Sequence, residues 1–162
     1  MQQHIKVRVP FTAYGIKWDE VGNSEIVQIL ISYGKSTINS IQFVYAEKYG
    51  VRLSKVFGEP SGFNFKPVSF DYPSERLTSV SGKYSSEGCG YPRLTTLTLC
   101  TNKRNYGPFG TFEGRTSHDF NYEFGARGFG GFHGSVWNKS ICCIGVYFKP
   151  VDKLNPVKDE VD

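Results

Sequence analysis

Two short apolar patterns, each occurring three times, constrain this chain more than any other feature. Ile26-x-x-Ile29, Leu77-x-x-Val80-x-Gly82 and Phe129-x-x-Phe132-x-Gly134 share one spacing and recur after 51 and then 52 residues. Each is followed, past a short polar stretch, by a second shared pattern: Ile38-x-x-Ile41-x-Phe43, Leu94-x-x-Leu97-x-Leu99 and Ile141-x-x-Ile144-x-Val146. The last pair of each lies at period 2, the signature of a strand with one buried face. Three repeats of about 50 residues, each containing a β-hairpin, are implied.

Further strands fit between the hairpins. Residues 4–9 alternate Ile5, Val7 and Val9, residues 52–57 and 65–70 also read as extended, and Pro10, Pro60, Pro73 and Pro108 punctuate the edges. About four strands per repeat result. No unit of that size buries a core alone, so the three should pack around a shared axis as a three-sheeted prism; a sandwich satisfies the same pattern. Composition agrees with an all-β class: 18 Gly, 10 Tyr and 13 Phe suit tight turns and aromatic-rich strands. At 162 residues the chain holds one domain, residues 1–150, with a charged C-terminal tail, VDKLNPVKDEVD, over 151–162 that is expected to be mobile.

Several functional classes are disfavoured. No run approaches the ~20 apolar residues of a membrane-spanning helix, and MQQHIKVRVP lacks the apolar core of a signal peptide, so membrane insertion is not expected and a cytoplasmic or nucleocytoplasmic location is. The net charge of +4 is spread along the chain instead of concentrated in one stripe, which argues against nucleic acid as a partner. Gly34-Lys35-Ser36 resembles the end of a phosphate-binding loop, but Ile29 stands where the first glycine is needed and a strand follows, so a hairpin turn is predicted. The glycine-rich stretch 125–134 likewise runs toward a strand and opens no helix.

Cys89, Cys100, Cys142, Cys143, His118 and His133 show no metal-ligand spacing, and no cofactor is expected. Adjacent residues of a strand point to opposite faces, so Cys142 and Cys143 should not chelate together; one of them should pack inward as a small apolar group. His118-Asp119 orients no catalytic pair and no nucleophile elbow is visible, so the chain is not expected to be an enzyme. Asn138-Lys139-Ser140 is a glycosylation sequon, expected to be unmodified without a secretory route.

Trp18-Asp19, SIQF (40–43), TNKRNYGPFG (101–110), GFHG (131–134) and IGVY (144–147), in that order, resemble the jacalin-related lectins of plants across roughly residues 5–150. The resemblance implies a β-prism I fold of three four-stranded antiparallel sheets with pseudo-threefold symmetry, and metal-free carbohydrate binding of the mannose-type branch. In that family a glycine near the first strand turn and a G-x-x-x-D segment leading into the last strand surround one sugar, the segment supplying backbone N–H donors and a carboxylate. Counting back from Ile144, residues Lys139, Ser140 and Ile141 fall on the backbone-donor positions, Asn138 on the glycine and Cys142 on the aspartate. Gly15 matches the first glycine, although Tyr14-Gly15-Ile16-Lys17 replaces the usual Gly-Gly pair, and nine residues separate GFHG from IGVY where eight is usual.

The carbohydrate site is therefore expected at Gly15, Asn138, Lys139, Ser140, Ile141 and Cys142, with Tyr14 or Trp137 stacking on the sugar. The positions matching Cys142 in the other repeats are Thr95 and Asn39. Asn39 keeps a competent acceptor, so Lys35, Ser36 and Asn39 form a candidate second carbohydrate site. Glycans or glycoproteins are the expected partners, with homo-oligomerisation a route to avidity. Two readings compete: a lectin for mannose- or glucose-type glycans with weak or altered affinity, and a protein-interaction scaffold that kept the prism and lost the sugar.

Overall fold

The computed structural model describes residues 4–9, 14–21, 25–86, 90–112, 114, 117–125 and 128–150. The predicted tail at 151–162 and Cys89 lie outside them. Each of the two threefold patterns begins a strand, or starts within one residue of it. The first gives β3 (Ile26–Tyr33), β8 (Leu77–Ser85) and β12 (Phe129–Trp137); the second gives β4 (Ile38–Glu47), β9 (Arg93–Thr101) and β13 (Ser140–Phe148). β3–β4, β8–β9 and β12–β13 are three antiparallel hairpins, and each is the centre of one sheet.

The outer strands complete three antiparallel sheets. β1 (Ile5–Lys6) and β2 (Ile16–Val21) flank the third hairpin in the order β1-β13-β12-β2. β10 (Asn105–Phe109) and β11 (His118–Glu123) flank the second in the order β10-β9-β8-β11. On the first hairpin β7 (Asn64–Ser69) pairs with β3, while β5 (Gly50–Leu53) and β6 (Phe57–Gly58) both pair with β4. The single extended stretch expected over 52–57 is thus two short strands. The Ser54 side chain stands in for the ladder at the break: its hydroxyl accepts from the Phe43 N–H at 2.9 Å and donates to the Lys55 carbonyl at 2.7 Å.

Strand alternation alone would turn residues i and i+3 to opposite faces. Every i, i+3 step of the repeat nevertheless puts both residues on one side, because each carries a β-bulge. Pairing jumps past Asn39, Thr95 and Cys142 in the second strands and past Val27, Thr78 and Gly130 in the first. Two residues then oppose one, and the phase of the pleat shifts by a residue. All nine side chains of the second pattern are at most 1% exposed. β4, β9 and β13 meet along the prism axis, where a fully enclosed aliphatic side chain contributes roughly 1.5–3 kcal/mol. Phe43 and Phe132 stack across this centre, with centroids 4.7 Å apart and planes 9° from parallel.

Two polar arrangements tie the sheets together. Tyr84, buried on β8, donates its hydroxyl to the Ile144 carbonyl at 3.0 Å and accepts from the Ile144 N–H at 3.0 Å, serving a stretch of β13 beyond the reach of β1. Tyr122 donates to the same carbonyl at 3.3 Å. The buried Glu75 carboxylate accepts from Thr101 Oγ1 at 2.6 Å, Tyr106 Oη at 2.8 Å and the Asp71 N–H at 2.9 Å, with Arg104 Nε at 3.4 Å.

Tyr84→Phe would leave the Ile144 N–H without its acceptor, so a loss of about 1–3 kcal/mol is expected in urea unfolding, and less for Tyr122→Phe, which shares its acceptor. Acid should weaken the fold in two stages. Burial pushes the His133 pKa down, so below about pH 6.5 the unfolded chain takes up a proton that the folded chain refuses, and unfolding gains. Burial alone would raise the Glu75 carboxyl, but its hydrogen bonds from Thr101, Asp71 and Tyr106 and the Arg104 guanidinium hold it below the ordinary range. Its contribution is complete above the unfolded value near pH 4.3 and fades as pH falls toward the folded one. Urea midpoints measured down the pH scale should fall in both windows, and Glu75→Gln should flatten the lower one.

Candidate functional site

The hairpin β12–β13 closes in two residues. Asn138 and Lys139 have φ of 50° and 66°, the left-handed pair that a tight hairpin turn requires, and Asn accepts this geometry more readily than most side chains. The nine residues between GFHG and IGVY are therefore no loop: β12 runs to Trp137 and β13 resumes at Ser140. Ser140 donates its hydroxyl to the Trp137 carbonyl at 3.3 Å across the turn.

Gly15 enters β2 against this turn with φ +90°, and a Cβ there would lie 2.4 Å from the Val136 carbonyl oxygen. Any side chain would force the two strands apart, so the glycine is required by close approach. Next to it the Tyr14 ring stacks on Tyr91, 5.0 Å between centroids and 6° from parallel, and meets the edge of Trp137 at 5.7 Å. Asn138 Nδ2 reaches the Tyr91 hydroxyl at 3.4 Å. Tyr14, Gly15, Trp137, Asn138, Lys139 and Ser140 are thus brought together at one end of the prism.

Ile141 and Cys142 stand behind that surface. Both are 0% exposed, and Cys142 is the bulged residue of β13. Cys143 is equally enclosed, which corrects the expectation that only one of the two cysteines packs inward: the bulge removes strict alternation, and the outer side is covered by the Tyr14 backbone. Burial pushes the Cys143 thiol up, and a protonated, enclosed thiol is chemically quiet.

The first-repeat corner is built the same way. Gly34–Thr37 is a turn, closed by the Gly34 N–H to the Thr37 carbonyl at 2.9 Å, as predicted for a hairpin. The Lys35 carbonyl accepts from both the N–H and the hydroxyl of Thr111, each at 2.7 Å, which straps the turn to the second repeat. Asn39, the bulged residue of β4, is half-buried, and its Oδ1 is enclosed without a hydrogen bond among the described residues, between Gly34 and Gly62. Gly62 plays the part of Gly15: at φ +98°, its Cβ would lie 2.9 Å from the Tyr33 carbonyl oxygen and 2.6 Å from Asn39 Oδ1. Phe63 beside it is 97% exposed.

Beside the β12–β13 turn an open groove of about 470 Å³ separates the start of β2 from residues 56–59. Ile16, Lys17 and Trp18 form one wall, Val56 to Glu59 the other, and residues 136–139 the end. Tyr91, Gly62 and Glu59 were not among the residues expected from the sequence. Gly62 alone carried a legible signal, a glycine ahead of an outer strand as Gly15 is ahead of β2.

The Jacalin-like lectin domain model matches residues 12–147. Protein RESTRICTED TEV MOVEMENT 1 of Arabidopsis thaliana is 36% identical over 137 residues, covering 83% of this chain and 78% of its own length. Jacalin-related lectin 2 of the same plant is 32% identical over 163 residues, covering 93% and 89%. Among solved structures, a mannose-specific jacalin-related lectin from Morus nigra in complex with mannose superposes with a TM-score of 0.78 at 27% identity, covering 93% of this chain and 97% of that one. The three sheets are those of the β-prism I, and the chain belongs to the jacalin-like lectin domain family.

Proposed function

We propose that the chain binds mannose- or glucose-type glycans at the end of the prism formed by Gly15, Asn138, Lys139 and Ser140, with weak or altered affinity. The observation that carries this reading is the enforced closeness of Gly15 to the β12–β13 turn, which holds two exposed backbone segments and Trp137 around one surface. Ile141 and Cys142 support the surface from behind. A sugar hydroxyl both donates and accepts, so donors alone leave half of its hydrogen bonding unused. Cys142 offers no compensating acceptor, being enclosed as well as a thiol. The Lys35, Ser36 and Asn39 corner is proposed as a weaker second site in which exposed Phe63 supplies the apolar surface.

A shallow site for one sugar binds near millimolar, about −4 kcal/mol, and each hydrogen bond to a charged group is worth about 1.5–3 kcal/mol. Without the carboxylate, methyl-α-mannoside should bind with Kd above ~10 mM, while a mannopentaose gains contacts along the groove. Titration by isothermal calorimetry or ligand-observed NMR decides this; no binding of any oligomannoside at millimolar concentration would remove the proposal.

A scaffold function is the second reading, favoured by the bulge residues Asn39, Thr95 and Cys142: none is acidic, and Thr95 and Cys142 are buried. A partner retained against excess mannose in a pull-down would support it.

Cys142→Asp separates loss of chemistry from loss of access. On sequence grounds it restores an acceptor; in the structure it forces a carboxylate into an enclosed slot. The expected result is a stability loss of about 3 kcal/mol or more in urea unfolding with no gain in mannose affinity. Tighter mannose binding would show that the bulge can turn residue 142 outward.

A further inference from the structure

The sheet built on the first hairpin turns an uncharged face outward. Its neighbouring strands β5, β4, β3 and β7 hold three charged residues, Glu47, Arg52 and Lys66, and register puts all three on the inner side. Arg52 pairs with the buried Tyr45 and covers its ring at 4.5 Å, Glu47 lies 3.6 Å from Arg52, and Lys66 pairs with the buried Ile31. No bulge interrupts 28–32, 40–47, 50–53 or 64–69, so the residues between these point outward, and none of them is charged. The polar side chains among them are already tied within the repeat. Gln28 Nε2 donates to Ser69 Oγ at 2.7 Å, the Ser32 and Ser40 hydroxyls share a hydrogen bond at 2.6 Å, and Gln42 Nε2 donates to the Ser54 carbonyl at 2.8 Å. The apolar ones at two opposite corners are open: Phe65 is 61% exposed at one, Val51 and Leu53 are 59% and 55% exposed at the other. The other two sheets carry ion pairs on their outer faces, Lys83–Asp119 at 2.9 Å and Lys6–Asp19 at 3.5 Å. An outward sheet face is ordinarily polar; one without charge, its hydrogen bonds made, costs little to dry and marks a contact surface.

We infer that two copies of the chain meet through this face, sheet against sheet about a two-fold axis. Charge favours a second copy over another partner. The chain carries +4 overall, so copies repel unless they approach through a surface without charge, and a two-fold contact sets each surface against itself. A partner selected by charge has nothing to pair with here. The two open corners complement each other when the strands of the copies cross at near right angles, each Phe65 then lying over Val51 and Leu53 of the partner. Four strands at ~4.8 Å and about six residues at ~3.4 Å make a plane of roughly 400 Å². That falls short of the ~800 Å² that each side of a standard-size interface contributes, so the dimer is a reversible one.

Sedimentation equilibrium of the full chain from about 5 to about 500 µM tests this. The mass should rise from one chain toward two and no further, and ~0.5 M NaCl should not weaken the association, since no ion pair carries it. Phe65→Lys and Leu53→Lys should each raise the dissociation constant at least about ten-fold. Asn121→Lys, which adds the same charge to the outer face of the second sheet, should leave it unchanged. Methyl-α-mannoside should not shift it either, because the candidate glycan site lies at the end of the prism; a chain that binds no sugar still tests the dimer. Urea midpoints of the variants at the lowest concentration, equal to that of the parent chain, establish that the fold is intact. One chain's mass across the whole range overturns the inference, as does association that both lysine variants leave intact, that salt abolishes, or that grows beyond two copies. A different protein that binds the monomer and is lost in the same two variants also overturns it, by giving the face another occupant.

Discussion

The six β-bulges of the three central hairpins set the phase of the structure. A regular strand would bury alternate residues, and the apolar spacing of this chain, three residues and then two, fits no regular strand. One extra residue per strand reconciles them: past the bulge the pleat is shifted, and Ile38, Ile41 and Phe43 face the axis together, as do their counterparts in the other repeats. Two bulges per hairpin also sharpen the twist, so that three four-position sheets can close around a common centre. The prism is a consequence of where those residues are inserted.

The same constraint decides what the corner beside the candidate site can present. Asn39, Thr95 and Cys142 are the residues inserted at the bulges; Thr95 and Cys142 are enclosed there, and Asn39 is half-buried with its Oδ1 enclosed. Thr95 answers by donating its hydroxyl to the Lys83 carbonyl at 3.1 Å, Asn39 leaves an oxygen unpaired, and Cys142 needs little satisfaction because a thiol costs little to bury. The polar chemistry at the third corner is left to the turn and the outer wall: Asn138, Lys139, Trp137 and the neighbouring groove.

Much of the fold was legible because a threefold repeat multiplies a weak signal. One apolar pair at spacing three says little; six of them at one interval say that the same hairpin recurs. The bulges were hidden, since a register shift depends on the partner strand, which the local sequence does not display. For that reason the nine residues between GFHG and IGVY do not show in the sequence that they hold two strand ends and a two-residue turn, and adjacent cysteines read as opposed when both are enclosed. Gly15 and Asn138 are visible through the motifs that contain them. Glu59 and Tyr91 are not, because they lie tens of residues from the turn in sequence and only the closing of the sheets brings them beside it.

This separation of core and corner bears on how binding can vary while the prism persists. The axial triplets cannot change size cheaply, since removing a fully enclosed Ile or Leu down to Ala costs about 2–5 kcal/mol. Lys17, Glu59 and Lys139 are exposed, and exchanging exposed charges of this kind moves stability by a few tenths of a kcal/mol. Residue 142 belongs to the first class although the motif places it in the second: it sits in the binding segment by sequence and in the core by geometry. A carboxylate can occupy such a position only where the preceding turn draws the start of β13 outward. Here the turn instead closes tightly over Asn138 and Lys139, with Gly15 pressed against Val136 on the other side. The turn and the thiol are therefore one choice: a strand that begins this early has its bulge inside the prism, where a small apolar group fits and a charge does not.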